Sequence, residues 1–200
     1  MARTLGEGTA PWQAMAMETT TGIPPWPAVD PGCGGIRLRA FRNEDAAMVM
    51  DMARDTYIPT VGSLPARATY EQALEWLERQ RSMHVRGSGF SFAIADAATD
   101  RAVGQIGLWG WELVHGRTEA GYAVTPGARG SGLAAAALRA LADFAWTVPE
   151  VHRVELHIEP WNTASIRTAE HAGFDREGLL RSYMEISGQR RDLLLYAAVR

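Results

Sequence analysis

From Ile36 to Ala40 apolar residues alternate with Arg37 and Arg39, the period-two pattern of a half-buried strand. Asn43 then stands where a helix cap is expected, with a helix running to about Arg54. Thr69 and Gln72 have the spacing of a capping box, and Tyr70, Ala73, Leu74 and Leu77 would share the buried face of the helix it opens. Three strand-like runs follow, FSFAIAD, AVGQIGLWG and TEAGYAV, separated by short polar or glycine-containing turns. Leu133, Ala137, Leu138, Leu141 and Phe144 recur at helical spacing, and VHRVELHIE returns to clean alternation. NTASIRTAEHAGF reads as a short helix with Asn162 or Thr163 as its cap and Gly173 as its stop. Two last strands, 179–187 and 190–199, meet at the turn SGQ. The order β-α-α-β-β-β-α-β-α-β-β predicts an α/β (α+β) fold: a mixed, mainly antiparallel sheet of about seven strands flanked by about four helices.

Residues 1–34 lie outside this pattern. They hold five prolines and no sustained periodicity, so they read as an irregular N-terminal extension, pinned by Trp12 or Trp26, ahead of one domain over 35–200. Two hundred residues with 46% hydrophobic and 22% charged content suit a globular chain with a sizeable core. A formal net charge of −3 argues against a broad nucleic-acid footprint, and no run is long enough for a membrane span. The single cysteine, Cys33, sits in the extension; it excludes an internal disulfide, and with no secretory-type apolar segment the expected compartment is the cytoplasm.

One stretch departs from ordinary patterning. PGARGSGLAAAAL places three glycines immediately before the best helix-forming run of the chain. Glycine loses more backbone entropy on folding than other residues, so such a cluster implies a tight turn or a close approach. A helix start also presents unpaired N–H groups and a partial positive charge, the makings of an anion cradle, most naturally for phosphate. By itself the cluster also fits a surface turn that opens a helix.

Arg129-Gly130-Ser131-Gly132-Leu133-Ala134 resembles the Arg/Gln-x-x-Gly-x-Gly/Ala motif of the GNAT acyltransferases. EAGYAVTPGARGSG is similar to that family's fourth strand running into its pyrophosphate loop. Asn162-x-x-Ser165 followed by His171-Ala172-Gly173-Phe174 resembles its second motif. The tail EGLLRSYMEISGQRRDLLLYA is similar to the branch that acetylates ribosomal-protein N-termini (the RimJ/RimL-like enzymes). The resemblance spans about residues 35–199. It implies the GNAT fold and an acetyl-CoA-dependent N-acetyltransferase acting on a primary amine, at a protein N-terminus or on a small molecule. Backbone N–H groups from Arg129 to Ala134 would hold the coenzyme A pyrophosphate. Backbone groups of Tyr122, Ala123 and Val124, on a strand splaying from VELHI, would pair with the pantetheine amides, and Asn162 would contact the pantetheine or cap its helix. No metal, nucleic acid or membrane is implied, and a homodimer stays open.

The chemistry needs a proton acceptor for the amine and a proton donor for the leaving thiolate. Period two puts Glu119, Gly121 and Ala123 on one strand face. The resemblance makes Glu119 the general base; the alternative is an exposed strand glutamate pairing with Arg117. A backbone N–H of Ala123 or Val124 would polarise the thioester carbonyl. Where many relatives carry a tyrosine, four residues before the glycine of Gly-Phe, this chain has Ala169. That removes the usual acid and leaves Ser165 or a water, while Ser165 also fits a plain first-turn helix residue. Trp109, Trp111 and Trp161 either wall an acceptor pocket or belong to the core. His152 and His157, five apart on a strand, face opposite sides and form no metal pair. Arg190, Arg191 and Asp192 read as a solvated turn. The loop 56–69 and the final hairpin would read the acceptor. A non-catalytic acyl-CoA-binding sensor remains the competing class, since it needs the cradle but no base.

Overall fold

A computed structural model describes residues 23–112 and 115–200. Trp12 lies outside the described residues, as does the side chain of Trp111. Among the described residues one sheet of eight strands runs in the order β1-β2-β3-β4-β5-β6-β8-β7. In chain order the elements are β1 (Gly32–Cys33), β2 (Ile36–Arg39), α1 (Ala46–Met52), α2 (Ile58–Val61), α3 (Tyr70–Val85), β3 (Gly89–Asp96), β4 (Ala102–Glu112), β5 (Arg117–Val124), α4 (Leu133–Ala145), β6 (Arg153–Ile158), α5 (Thr163–His171), β7 (Asp175–Ile186) and β8 (Gln189–Val199). All neighbouring strands pair antiparallel except β5 and β6, which are parallel. This is the mixed, mainly antiparallel α/β arrangement expected, with one more strand and one more helix.

The added pieces are short. β1 is two residues long and lies inside the stretch read as irregular, because Gly34 and Gly35, both at positive φ, turn the chain back on itself so that Cys33 pairs with Ile36. α2 is a single turn with Pro59 in its first positions, too short to leave a periodic signal. Asn43 is not a helix cap: a 3-10 turn covers Asn43–Asp45, and the Asp45 carboxylate accepts the Arg42 backbone N–H at 2.8 Å. The capping box of α3 is present, with Gln72 Oε1 accepting from Thr69 N at 2.9 Å. Its buried face is Ala73, Trp76 and Leu77; Tyr70, in the first turn, stands exposed beyond that cluster.

Apolar burial divides between the two faces of the sheet. Phe90, Phe92, Ile106, Leu108, Val154 and Leu156 pack with α4 on one face. Ala93 faces the other way, where Val49, Met52, Trp76 and Leu77 of α1 and α3 cover it. The odd-numbered residues of β5 and β6 share this second face, past the part that α1 and α3 cover. No helix among the described residues is long and apolar enough to cross a membrane.

Candidate active site

The parallel pairing of β5 and β6 is brief. It runs through Arg117–Arg153, Thr118–Val154 and Glu119–Glu155 and goes no further. Beyond it β5 continues to Val124 hydrogen-bonded only to β4, and β6 continues to Ile158 against β8. The strands therefore part at Glu119, and Tyr122, Ala123 and Val124 border the opening.

At the end of β5 the chain passes through a 3-10 turn, Pro126–Ala128, into the glycine loop. Gly130 and Gly132 have φ of +77° and +79°, and an added Cβ at either meets nothing within 4 Å. These glycines are present for their left-handed backbone, not for want of space. Gly132 is the N-cap of α4 and has no side chain to offer, so no side chain caps that helix. The first α4 bond runs from Ala136 N to Gly132 O, leaving the earlier N–H groups of the helix to a ligand or solvent. Ser131 Oγ donates to Ala128 O at 2.6 Å and closes the loop.

Arg129 turns its guanidinium away from that cradle, to Asp55 Oδ2 at 2.6 Å. Asp55 Oδ1 accepts the backbone N–H groups of Tyr57 (2.7 Å) and Ile58 (2.9 Å) at the start of α2. Burial pushes the Asp55 carboxyl up, but these two N–H groups and Arg129 together outweigh it and hold it below the usual carboxylate range. One carboxylate thus joins the glycine loop to the segment bearing Tyr57. Asp55 was not singled out from the sequence, although an Asp three residues before a helical Ile-Pro is a capping signal.

Glu119 does have a polar partner: His157 Nδ1 lies 3.0 Å from its Oε1, 38 positions away. With its proton on Nδ1 the imidazole donates to the carboxylate. The ring is buried and stacks on Tyr183, centroids 4.9 Å apart and planes 19° from parallel. β7 carries extra residues against β8 between Leu180 and Met184, with Ser182 at φ +51° and its N–H on Asp192 Oδ1 at 2.7 Å. That irregularity brings Tyr183 against the histidine and takes Asp192 out of the role of solvated turn residue. The sequence offers His157 only as a residue that makes no metal pair with His152; its position beside Glu119 depends on the β5–β6 register, which local alternation does not reveal.

Trp109 stands directly across from Glu119 on β4. Its indole covers Gly121 so closely that a Cβ there would sit 2.4 Å from the ring, and one at Gly107 2.8 Å. The aromatic wall beside Glu119 is therefore Trp109, and Gly121 is the glycine that admits it.

On the other side of the opening Asn162 caps α5, accepting Ser165 N at 3.1 Å; Thr163 is the first helical residue, not the cap. Ser165 thus has its own N–H satisfied by Asn162. Its carbonyl accepts the Tyr122 hydroxyl at 3.4 Å, and burial raises the pKa of that phenol. Ala169 is fully buried in the core. Past the end of β6, Glu159 is 4% exposed; burial first, and then the Glu159 carboxylate, push the pKa of the Tyr57 phenol up, which the Asn162 amide opposes. Tyr57 packs edge-on against Trp161, centroids 4.8 Å apart. Arg191, read as part of a solvated turn, reaches Glu159 with Nε at 3.7 Å.

Residues 36–175 match the family described as acetyltransferase (GNAT) domain. The chain is 27% identical over 165 residues to "Uncharacterized N-acetyltransferase p20" of Bacillus licheniformis, covering 82% of this chain and 93% of that protein. It is 30% identical over 117 residues to the [ribosomal protein uS5]-alanine N-acetyltransferase of Escherichia coli, covering 57% and 59% of the two chains. Among solved structures, Mycobacterium smegmatis RimJ in complex with CoA-disulfide superposes with a TM-score of 0.71 at 28% identity, over 82% of this chain and 81% of that one.

Proposed function

The chain belongs to the GNAT acetyltransferase family, and on that premise we propose that Glu119 is the base of an acetyl transfer carried out where β5 and β6 part. The protein is an acetyl-CoA-dependent N-acetyltransferase that moves an acetyl group to an amine. It acts as a catalyst, not as a binding-only module. The coenzyme's thioester supplies the acetyl group. Its pyrophosphate is assigned to the N–H groups from Gly130 to Ala134, because α4 opens on a left-handed glycine with no capping side chain; the Arg129 N–H, expected in that set, is already bonded to Pro126 O at 3.3 Å. The pantetheine is assigned to the β5 edge at Tyr122, Ala123 and Val124, with Asn162 facing it from the start of α5.

The observation that carries the mechanism is the Glu119–His157 pair at the last point where β5 and β6 are bonded. A primary amine enters the reaction only after losing its proton. An α-amino group has a pKa of about 8, so one carboxylate held in place suffices to take the proton at neutral pH. His157, stacked on Tyr183, keeps the Glu119 carboxylate oriented by donating to Oε1. Ser165 holds the proton that the leaving sulfur needs. The acceptor is a protein α-amino group or a small-molecule amine. The test is thiol release from acetyl-CoA against a panel of both kinds of amine. Turnover with at least one acceptor is expected; slow hydrolysis that no amine accelerates would overturn the reading.

A further inference from the structure

We propose that Glu159, Tyr57 and Trp161 form a cation subsite that binds a second positive charge on the acceptor, one that is not acetylated. This rests on the acetyltransferase reading and specifies its substrate class. Glu159 directly follows β6 and lies two residues beyond His157, about 6.6 Å further along an extended chain. Its distance from the Glu119–His157 pair is thus that of two charges on one short molecule. At 4% exposure a carboxylate needs strong compensation. The Tyr57 hydroxyl, whose pKa burial and Glu159 raise, is a neutral group close by. Among the described residues the cation facing it is Arg191, whose Nε at 3.7 Å is too far for a hydrogen bond and whose side chain is 44% exposed. A guanidinium held that loosely can be displaced by an ammonium in direct contact.

The walls of the subsite suit the same ligand. Trp161 is 58% exposed yet ordered edge-to-face against Tyr57, so two aromatic rings stand beside a buried negative charge at the surface. That combination is what attracts an alkylammonium or a lysine side chain. Tyr57 directly precedes α2, and Asp55, which accepts the Tyr57 N–H, fastens this segment to the glycine loop. The subsite therefore has a fixed relation to the place assigned to the coenzyme. The dication has two sources, a free diamine or a peptide with a basic second residue, and both belong in the test.

The experiment compares diaminobutane with butylamine and aminobutanol, and a tripeptide amide bearing lysine at its second position with its norleucine counterpart. The parent protein is expected to favour the doubly charged member of one set by about 10- to 100-fold in kcat/KM, mostly through KM. Glu159→Gln should cost that member at least tenfold more than its singly charged analogue. Arg191→Gln, at an exposed position, should shift preference the other way by lowering KM for the dication. Equal kcat/KM within both sets, or losses in Glu159→Gln that are the same for every acceptor, would overturn the subsite. Calorimetric titration of diaminobutane and the lysine peptide into the protein with coenzyme A provides a readout without turnover. Binding weakened by Glu159→Gln supports the subsite even if no acetylation occurs, and absence of binding by both probes removes it even if monoamines are acetylated.

Discussion

The Glu119 carboxylate has a burial and a partner that suit a proton acceptor: its side chain is 35% exposed, open enough to meet an amine, and His157 fixes one of its oxygens. Glu119→Gln preserves shape and removes the proton site. The rate should fall by about 100- to 10,000-fold with coenzyme A affinity nearly unchanged. Because alkaline buffer supplies neutral amine unaided, the variant should recover in part as pH rises through the pKa of the acceptor. A pH–rate profile of both proteins with one good acceptor measures this, and near-normal turnover at neutral pH would reduce Glu119 to a strand residue. Ser165→Ala addresses the other proton. With Ala169, which has no proton to give, buried in the core, loss of the Ser165 hydroxyl should lower kcat by about 100-fold while leaving thermal stability in place. A change under twofold would assign the proton to water.

At the scale of elements, what was legible in the chain is what repeats locally. The alternation in 118–124 and 153–158, the spacing of leucines in α4 and the capping box of α3 each yield their element with small errors at the ends. α2 and β1 have too few residues to repeat, and β7 begins at Asp175 instead of 179 because its pairing to β8 tolerates irregularities. The glycine loop was legible as a cradle, but its tether was not, since Asp55 and Arg129 stand 74 positions apart. That tether predicts coupled behaviour. Asp55→Asn weakens a charge-assisted contact at each end, so KM should rise for coenzyme and acceptor together, by about three- to tenfold. A rise in only one would show that α2 and the loop act separately. The sign with pH follows from the lowered Asp55 pKa: the contact is complete above the ordinary carboxylate value of about 3.9 and is lost only as pH falls from there through the lower folded value. Gly132→Val strikes the other side of the loop. A β-branched residue at φ +79° is strained whatever the space, and the α4 start should shift enough to weaken coenzyme binding severely while the core of the domain stays folded. Unchanged affinity by calorimetry would show that the cradle is elsewhere.

For the molecule as a whole the question is where the folded unit begins. A boundary at 34/35 follows from prolines and missing periodicity, yet residues 23–34 contribute to the core. The Trp26 ring packs on Phe92 with centroids 4.7 Å apart and on Phe90 and His84 at 5.7 Å. Pro24 O lies 2.8 Å from His84 Nε2, and Pro31 O accepts Leu38 N at 2.7 Å. Composition warned of irregular backbone, and the tryptophans were the one cue to pinning: a proline-rich strap can be extended and still seat the Trp26 ring. We therefore propose that the folded unit includes residues 23–34 and that this strap serves stability, not chemistry. Deleting 1–34 strips the strap from Phe90 and Phe92 and removes β1, so the melting temperature should fall by several degrees. Trp26→Ala isolates the packing. A half-buried indole lost from this site should cost about 2 kcal/mol, read from the denaturation midpoint at constant slope. No residue of the proposed catalytic or coenzyme sites lies in the strap, so at a temperature where the variant is folded its kcat and coenzyme affinity should match the parent. A Trp26→Ala protein that is fully folded yet inactive would mean that the strap reaches the acceptor. One as stable as the parent would return the boundary to residue 35.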